Sequence, residues 1–156
     1  MRIADKITKY LKDACDKRIK SYYFGDPLII PASNLPALIV SKRQSVVNQG
    51  ATGLDEVDKI YSIKLVYNKK DELGKNPNEV AVQRTIADMV EGIDENGNFT
   101  ETSIVGVLRK NFTLGDAIEN QDMSIEYFLA ERGDLITEEA EIIINIKDFV
   151  SVLSRS

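Results

Sequence analysis

Asp122-Met123-Ser124-Ile125-Glu126-Tyr127-Phe128-Leu129-Ala130 and Glu139-Ala140-Glu141-Ile142-Ile143-Ile144-Asn145-Ile146-Lys147-Asp148-Phe149-Val150 decide the fold class of this chain. In the first run, Met123, Ile125, Tyr127 and Leu129 alternate with Ser124 and Glu126. In the second, Ala140, Ile142, Ile144 and Ile146 alternate with Glu141, Asn145 and Lys147, and Ile143 interrupts the pattern. Successive side chains of a strand point to opposite faces, so each run predicts a strand with one face buried. Glu131-Arg132-Gly133-Asp134 predicts the turn between them, and the two runs close the sequence as a strand pair.

Upstream, Val57 to Tyr67 carries the same signal, with Val57, Tyr61, Ile63, Leu65 and Tyr67 on one side and Asp58, Ser62 and Lys64 on the other. Ala37-Leu38-Ile39-Val40 is a short apolar run that Pro36 begins, and residues 44–49 continue it after a bend. Residues 37–67 therefore predict a large hairpin with an extended tip at Asn48-Gln49-Gly50-Ala51-Thr52-Gly53. Tyr22, Tyr23, Phe24, Gly25 and Asp26-Pro27 read as a turn with aromatic cover.

Helical spacing appears three times. Ile3, Ile7, Tyr10, Leu11 and Ala14 define an amphipathic helix over residues 3–18. Asn76-Pro77-Asn78-Glu79 is a helix start, and Val82, Ile86, Met89, Val90 and Ile93 supply the stripe of a helix over 77–93. Asp94-Glu95-Asn96-Gly97-Asn98 breaks it, and a shorter helix follows over 101–110 with Ile104, Val107 and Leu108 inward. Phe112, Leu114 and Ala117-Ile118 are ambiguous and allow a further strand. The expected fold is α+β, a single domain over residues 1–156. One mostly antiparallel or mixed sheet of four to five strands carries two to three packed helices. With 156 residues the chain buries roughly 70% of its unfolded surface and needs no staple.

The chemistry-bearing residues are sparse. Histidine is absent and Cys15 is the single cysteine, which excludes imidazole triads, imidazole or thiolate zinc sites and an intrachain disulfide. Cys15 falls on the first helix, where a buried, inert thiol is expected. No phosphate-cradling glycine motif occurs. Read as a calcium loop, Asp94 onward puts Phe99 and Val105 where Gly and Glu are required. A net charge of −5 argues against a nucleic-acid grip. No run approaches the roughly 18 apolar residues of a membrane span, and Met1-Arg2-Ile3-Ala4-Asp5-Lys6 does not begin a signal peptide. The expectation is a non-enzyme without cofactor or metal. Residues 44–56 and 69–76 exceed the usual connection length of about four to six residues. The candidate contacts are therefore Gln49, Gly50, Thr52 and Leu54 in the first loop and Asp71, Glu72 and Lys75 in the second.

The element order resembles that of the tail terminator proteins of long-tailed phages, also called tail-completion or head-to-tail joining proteins. The residues that carry it are the N-terminal amphipathic helix, the proline-led strand Leu35-Pro36-Ala37-Leu38-Ile39-Val40 and the long-tipped hairpin into Val57–Tyr67. The central helix at 77–93 and the closing Thr137-Glu138-Glu139-Ala140-Glu141-Ile142-Ile143-Ile144-Asn145-Ile146 complete it. The likeness is one of layout over nearly the whole chain, without a signature motif. It implies a virion protein of the tail or neck, assembled in the host cytoplasm as a hexameric ring. That ring contacts the tail tube protein and the head connector protein, and DNA passes through its lumen. The alternatives are another head–tail connector ring, an adaptor or head-closure protein, and a cellular small-ligand binding domain or an enzyme whose constellation the sequence does not show.

Overall fold

The computed structural model describes residues 3–27, 29–50, 53–68, 79–111 and 120–151. In chain order the elements are α1 (Ile3–Ala14), β1 (Ser21–Phe24), β2 (Ala37–Asn48), β3 (Leu54–Asn68), α2 (Glu79–Glu91), α3 (Ile104–Lys110), β4 (Asn120–Arg132) and β5 (Leu135–Ser151). They form one mixed five-stranded sheet with three helices, an α+β fold.

The strand order is β1-β2-β3-β5-β4. β1 runs parallel to β2, and every other neighbouring pair is antiparallel. The predicted hairpins are both present. The closing one turns at Gly133, whose φ of 58° lies in the left-handed region that glycine tolerates without strain. In β2 the bend expected before residue 44 is a bulge between Lys42 and Gln44, with Arg43 as the extra residue.

Alternation sorts the sheet into two faces. Leu38, Val40, Tyr61, Ile63, Leu65, Ala140, Ile142, Ile144 and Ile146 pack beneath the helices. Ala4, Ile7 and Leu11 of α1, Ile86, Met89 and Val90 of α2, and Ile104, Val107 and Leu108 of α3 close this core from above. Fully burying one such aliphatic side chain is worth roughly 1.5–3 kcal/mol, so this layer dominates stability. On the opposite face a smaller cluster joins Ile30 and Leu35 to Ala37, Ile39 and Val66. The segment after β1 supplies it by crossing over the sheet.

Three expectations change. Tyr22 to Phe24 are strand, not turn: Ser21↔Ala37 through Phe24↔Val40 are in register, and the unpaired edge of the buried run at 37–40 is what recruits them. α1 ends at Ala14 rather than 18, because the Asp16 carboxylate accepts from the Arg18 backbone N–H at 2.9 Å and stabilises a turn instead. α3 begins at Ile104, where the Ser103 hydroxyl accepts from the Gly106 N–H at 3.0 Å. The start signal at 76–78 and the ambiguous stretch 112–118 lie outside the described residues.

The central pair sets the stability of the whole. Ile63→Ala should lower the unfolding free energy by about 2–5 kcal/mol. Exposed Gln44→Ala should change it by less than about 0.5 kcal/mol. Urea denaturation of both variants checks the contrast.

Candidate functional site

β2 is buried through Ala37–Val40 and exposed through most of its remainder. Beyond the helices, β2, the start of β3 and the end of β5 continue as a three-stranded arm. Register places Val46 beside Asp58, Val47 beside Val57, and Phe149 beside Glu56. By strand alternation Val46, Leu54 and Phe149 face one side of the arm, and Val47 and Val150 face the other. All five are exposed, Val47 to 62%. Scattered exposed apolar residues are ordinary; these five gather at one tip, three on one face and two on the other, which makes it the candidate contact surface.

The tip is shaped by its backbone. The Gly50 N–H donates to Asp55 Oδ1 at 3.1 Å. A Cβ on Gly50 would lie 1.7 Å from the Leu54 carbonyl oxygen, so only glycine fits that close approach. Ion pairs Lys147–Glu56 at 3.4 Å and Lys59–Asp148 at 3.7 Å tie the strands of the arm together. Asp58 Oδ1 and Asn145 Oδ1 at its root are buried without a hydrogen-bond partner among the described residues. A buried acceptor in that state costs roughly 1–3 kcal/mol until a donor reaches it.

Of the seven predicted contacts, Gln49, Gly50 and Leu54 fall together at this tip, with Gln49 and Leu54 exposed. Thr52, Asp71, Glu72 and Lys75 lie outside the described residues.

At the other end of the sheet, on the face without helices, lies a polar cluster. Arg132 donates to Glu139 from Nε at 2.8 Å and from Nη2 at 2.9 Å. Its Nη1 reaches Asp26 Oδ1 at 2.9 Å and the Pro27 carbonyl at 3.2 Å. Lys64 Nζ donates to Asp26 Oδ2 at 2.9 Å. Burial works against the Asp26 carboxylate, but the hydrogen bonds from Arg132 and Lys64 outweigh it and hold its carboxyl below the ordinary value. The Glu139 carboxylate, against the cost of burial, keeps Arg132 firmly protonated. These groups line a cleft of about 400 Å³ with Phe128 and Ala130. Its charges satisfy one another, so its role is structural. Nothing local in the sequence points to it, since Asp26 lies more than a hundred residues from Arg132.

No family model matches the chain, and no curated protein matches it. Among the described residues no group of three or more His, Cys, Asp or Glu side chains could hold a metal ion. Burial pushes the Cys15 thiol up to about 12, which leaves it protonated and unreactive at neutral pH. No described helix is long and apolar enough to cross a membrane.

Glu139 is 1% exposed, so its partner matters. Arg132→Met should destabilise the fold by about 3–5 kcal/mol by stranding a buried carboxylate, and adding Glu139→Leu should recover most of it. Chemical denaturation of both variants tests this. Because Asp26 titrates lower when folded than when unfolded, its contribution is complete above the ordinary aspartate range. It is lost as pH falls through the folded value. Asp26→Asn should flatten the acid limb of a stability-against-pH curve in that window.

Proposed function

We propose that the chain is a structural virion subunit: it forms a ring on the end of a phage tail tube, ends polymerisation and joins tail to head. The observation that carries this reading is the arm. It offers apolar side chains on both faces, beside a hydrogen bond from the Gly50 N–H to Asp55 and cross-strand ion pairs. Such a surface suits docking onto a preformed protein lattice. The element order that resembles the tail terminators supports the same reading. The net charge of −5 suits a wall that DNA passes without adhering.

The mechanism is steric and needs no bond-making step. A subunit docks its arm on the exposed rim of the last tube ring, where the next tube subunit would otherwise add. Burial of Val46, Val47, Leu54 and Phe149 supplies the driving force at roughly 25 cal/mol per Å² of apolar surface. The opposite end of the sheet, stiffened by Arg132, Asp26 and Glu139, is left to face the head connector.

Adding the purified chain to growing tubes should hold their length constant, measured by electron microscopy. Val47→Asp with Leu54→Asp should remain folded by circular dichroism and leave tubes overlong. Tubes of normal length without the chain, coupled to failed head joining, would instead favour a connector or head-closure ring.

A further inference from the structure

We infer that the outer edge of β4 is a docking strand for a second copy of this chain, and that it takes the free edge of β2 within Ser41–Asn48 on that copy. The inference rests on the proposed ring only for closure of the assembly; the pairing itself rests on the two edges.

β4 ends the sheet, and no described strand pairs with its outer side. Natural edge strands are usually short, or carry Lys, Pro or a bulge, because their unpaired N–H and C=O groups recruit other strands. β4 has no Lys, Pro or bulge, and its one such device is the charge of Asp122, Glu126 and Glu131. It spans 13 residues without Lys or Pro. Its pairing with β5 runs unbroken from Asn120↔Lys147 to Arg132↔Leu135. No residue from 122 to 132 is buried, and Leu129 is 56% exposed.

The opposite side of the sheet holds the complementary edge. β1 covers β2 only at Ala37–Val40, so Ser41–Asn48 has no described neighbour on that side. Beyond the bulge at Arg43, Gln44–Asn48 pairs with β3 in unbroken register. The charges match. Asp122, Glu126 and Glu131 on β4 make no ion pair among the described residues, and the charge of Arg132 is consumed by Glu139 and Asp26. The free stretch of β2 carries Lys42 and Arg43 and no acid, although Arg43 also reaches Glu141 at 3.4 Å. Opposite charges across paired strands stabilise and like charges destabilise, so each edge repels its own kind and attracts the other. Val46, Val47, Tyr127 and Leu129, exposed in the single chain, gain neighbours in the paired sheet. Two different edges on opposite sides of one sheet make a head-to-tail contact, the kind that generates rings or filaments.

The test is a charge swap read by sedimentation velocity over a roughly hundredfold concentration range. The wild type should self-associate weakly and less so at high salt. Asp122→Lys with Glu126→Lys should weaken association about tenfold, as should Lys42→Glu with Gln44→Glu. A chain carrying all four changes should regain it. Circular dichroism establishes that each variant is folded. Amide exchange at 122–132, slowing as wild-type concentration rises, is a readout independent of the variants. A wild type monomeric over the whole range overturns the inference. So does a four-fold variant that stays dissociated, or association that Lys42→Glu with Gln44→Glu leaves unchanged, the second being the outcome of β4 pairing with itself. Normal tail termination by the Asp122→Lys, Glu126→Lys chain overturns edge pairing and leaves the tail reading standing. Charge-sensitive association without any effect on tail length does the opposite.

Discussion

The antiparallel pairing of β3 with β5 governs everything else. It runs from Leu54↔Ser151 to Asn68↔Thr137 and places Ile63 against Ile142 at its centre. β3 has 15 residues, which at the extended rise of a strand span roughly 50 Å. α1 has 12 and α2 has 13, which at the helical rise span roughly 18–20 Å. A helix layer lying along the sheet cannot cover such strands end to end. The core settles over Tyr61–Leu65 and Ala140–Ile146, and the remainder must project. The arm is thus a geometric consequence of strand length, and its exposed Val47 and Val150 are side chains on the helix side that the helices do not reach.

At the opposite end the sheet solves a different problem. The face away from the helices would leave Ala37, Ile39 and Val66 open to water. The segment after β1 crosses it instead, bringing Ile30 and Leu35 onto those residues. What anchors the crossing is Asp26, held between Lys64 on β3 and Arg132 on β4. Asp26 therefore joins three parts of the chain distant in sequence, and the second partner of Arg132, Glu139, is buried beside Thr137. A buried ion pair adds little net stability over an apolar pair, but a misplaced one is costly. The network thus selects one path for the crossing segment and one register for the closing hairpin.

The long strands were legible because alternation is a local signal: Val57–Tyr67 and the closing pair each reveal their buried side within a few residues. The bulge at Arg43 was foreshadowed by the change from an apolar run at 37–40 to a polar stretch beyond it. β1 was not legible. Tyr22-Tyr23-Phe24 has no alternation to display in four residues, and its strand state comes from pairing with β2, a tertiary effect. The long loop expected over 44–56 is instead mostly strand: β2 runs to Asn48 and β3 begins at Leu54, so the connection between them has ordinary length and Gln49, Gly50 and Leu54 stand at the tip because the strands themselves project. The Asp26–Arg132–Glu139 network was not legible either, since it depends on register between segments that nothing local relates.

The two edges of the sheet differ in a way that suits regulated assembly better than spontaneous aggregation. The free part of β2 is short, bulged and basic, so it pairs indiscriminately with nothing. The edge of β4 is long and regular, yet acidic, so it rejects another β4. A strand addition at so short an edge gains few hydrogen bonds against the entropy of association, so two free copies hold each other weakly. The free part of β2 is also one strand of the arm. Once neighbouring arms sit on a repeating surface, each β2 edge lies close to the next β4, and the effective concentration of edge for edge rises steeply. On the proposed reading, the tail tube then acts as the template. Docking of the arms and pairing of the edges reinforce each other, and the sheet closes around the lumen only where a finished tube presents its rim.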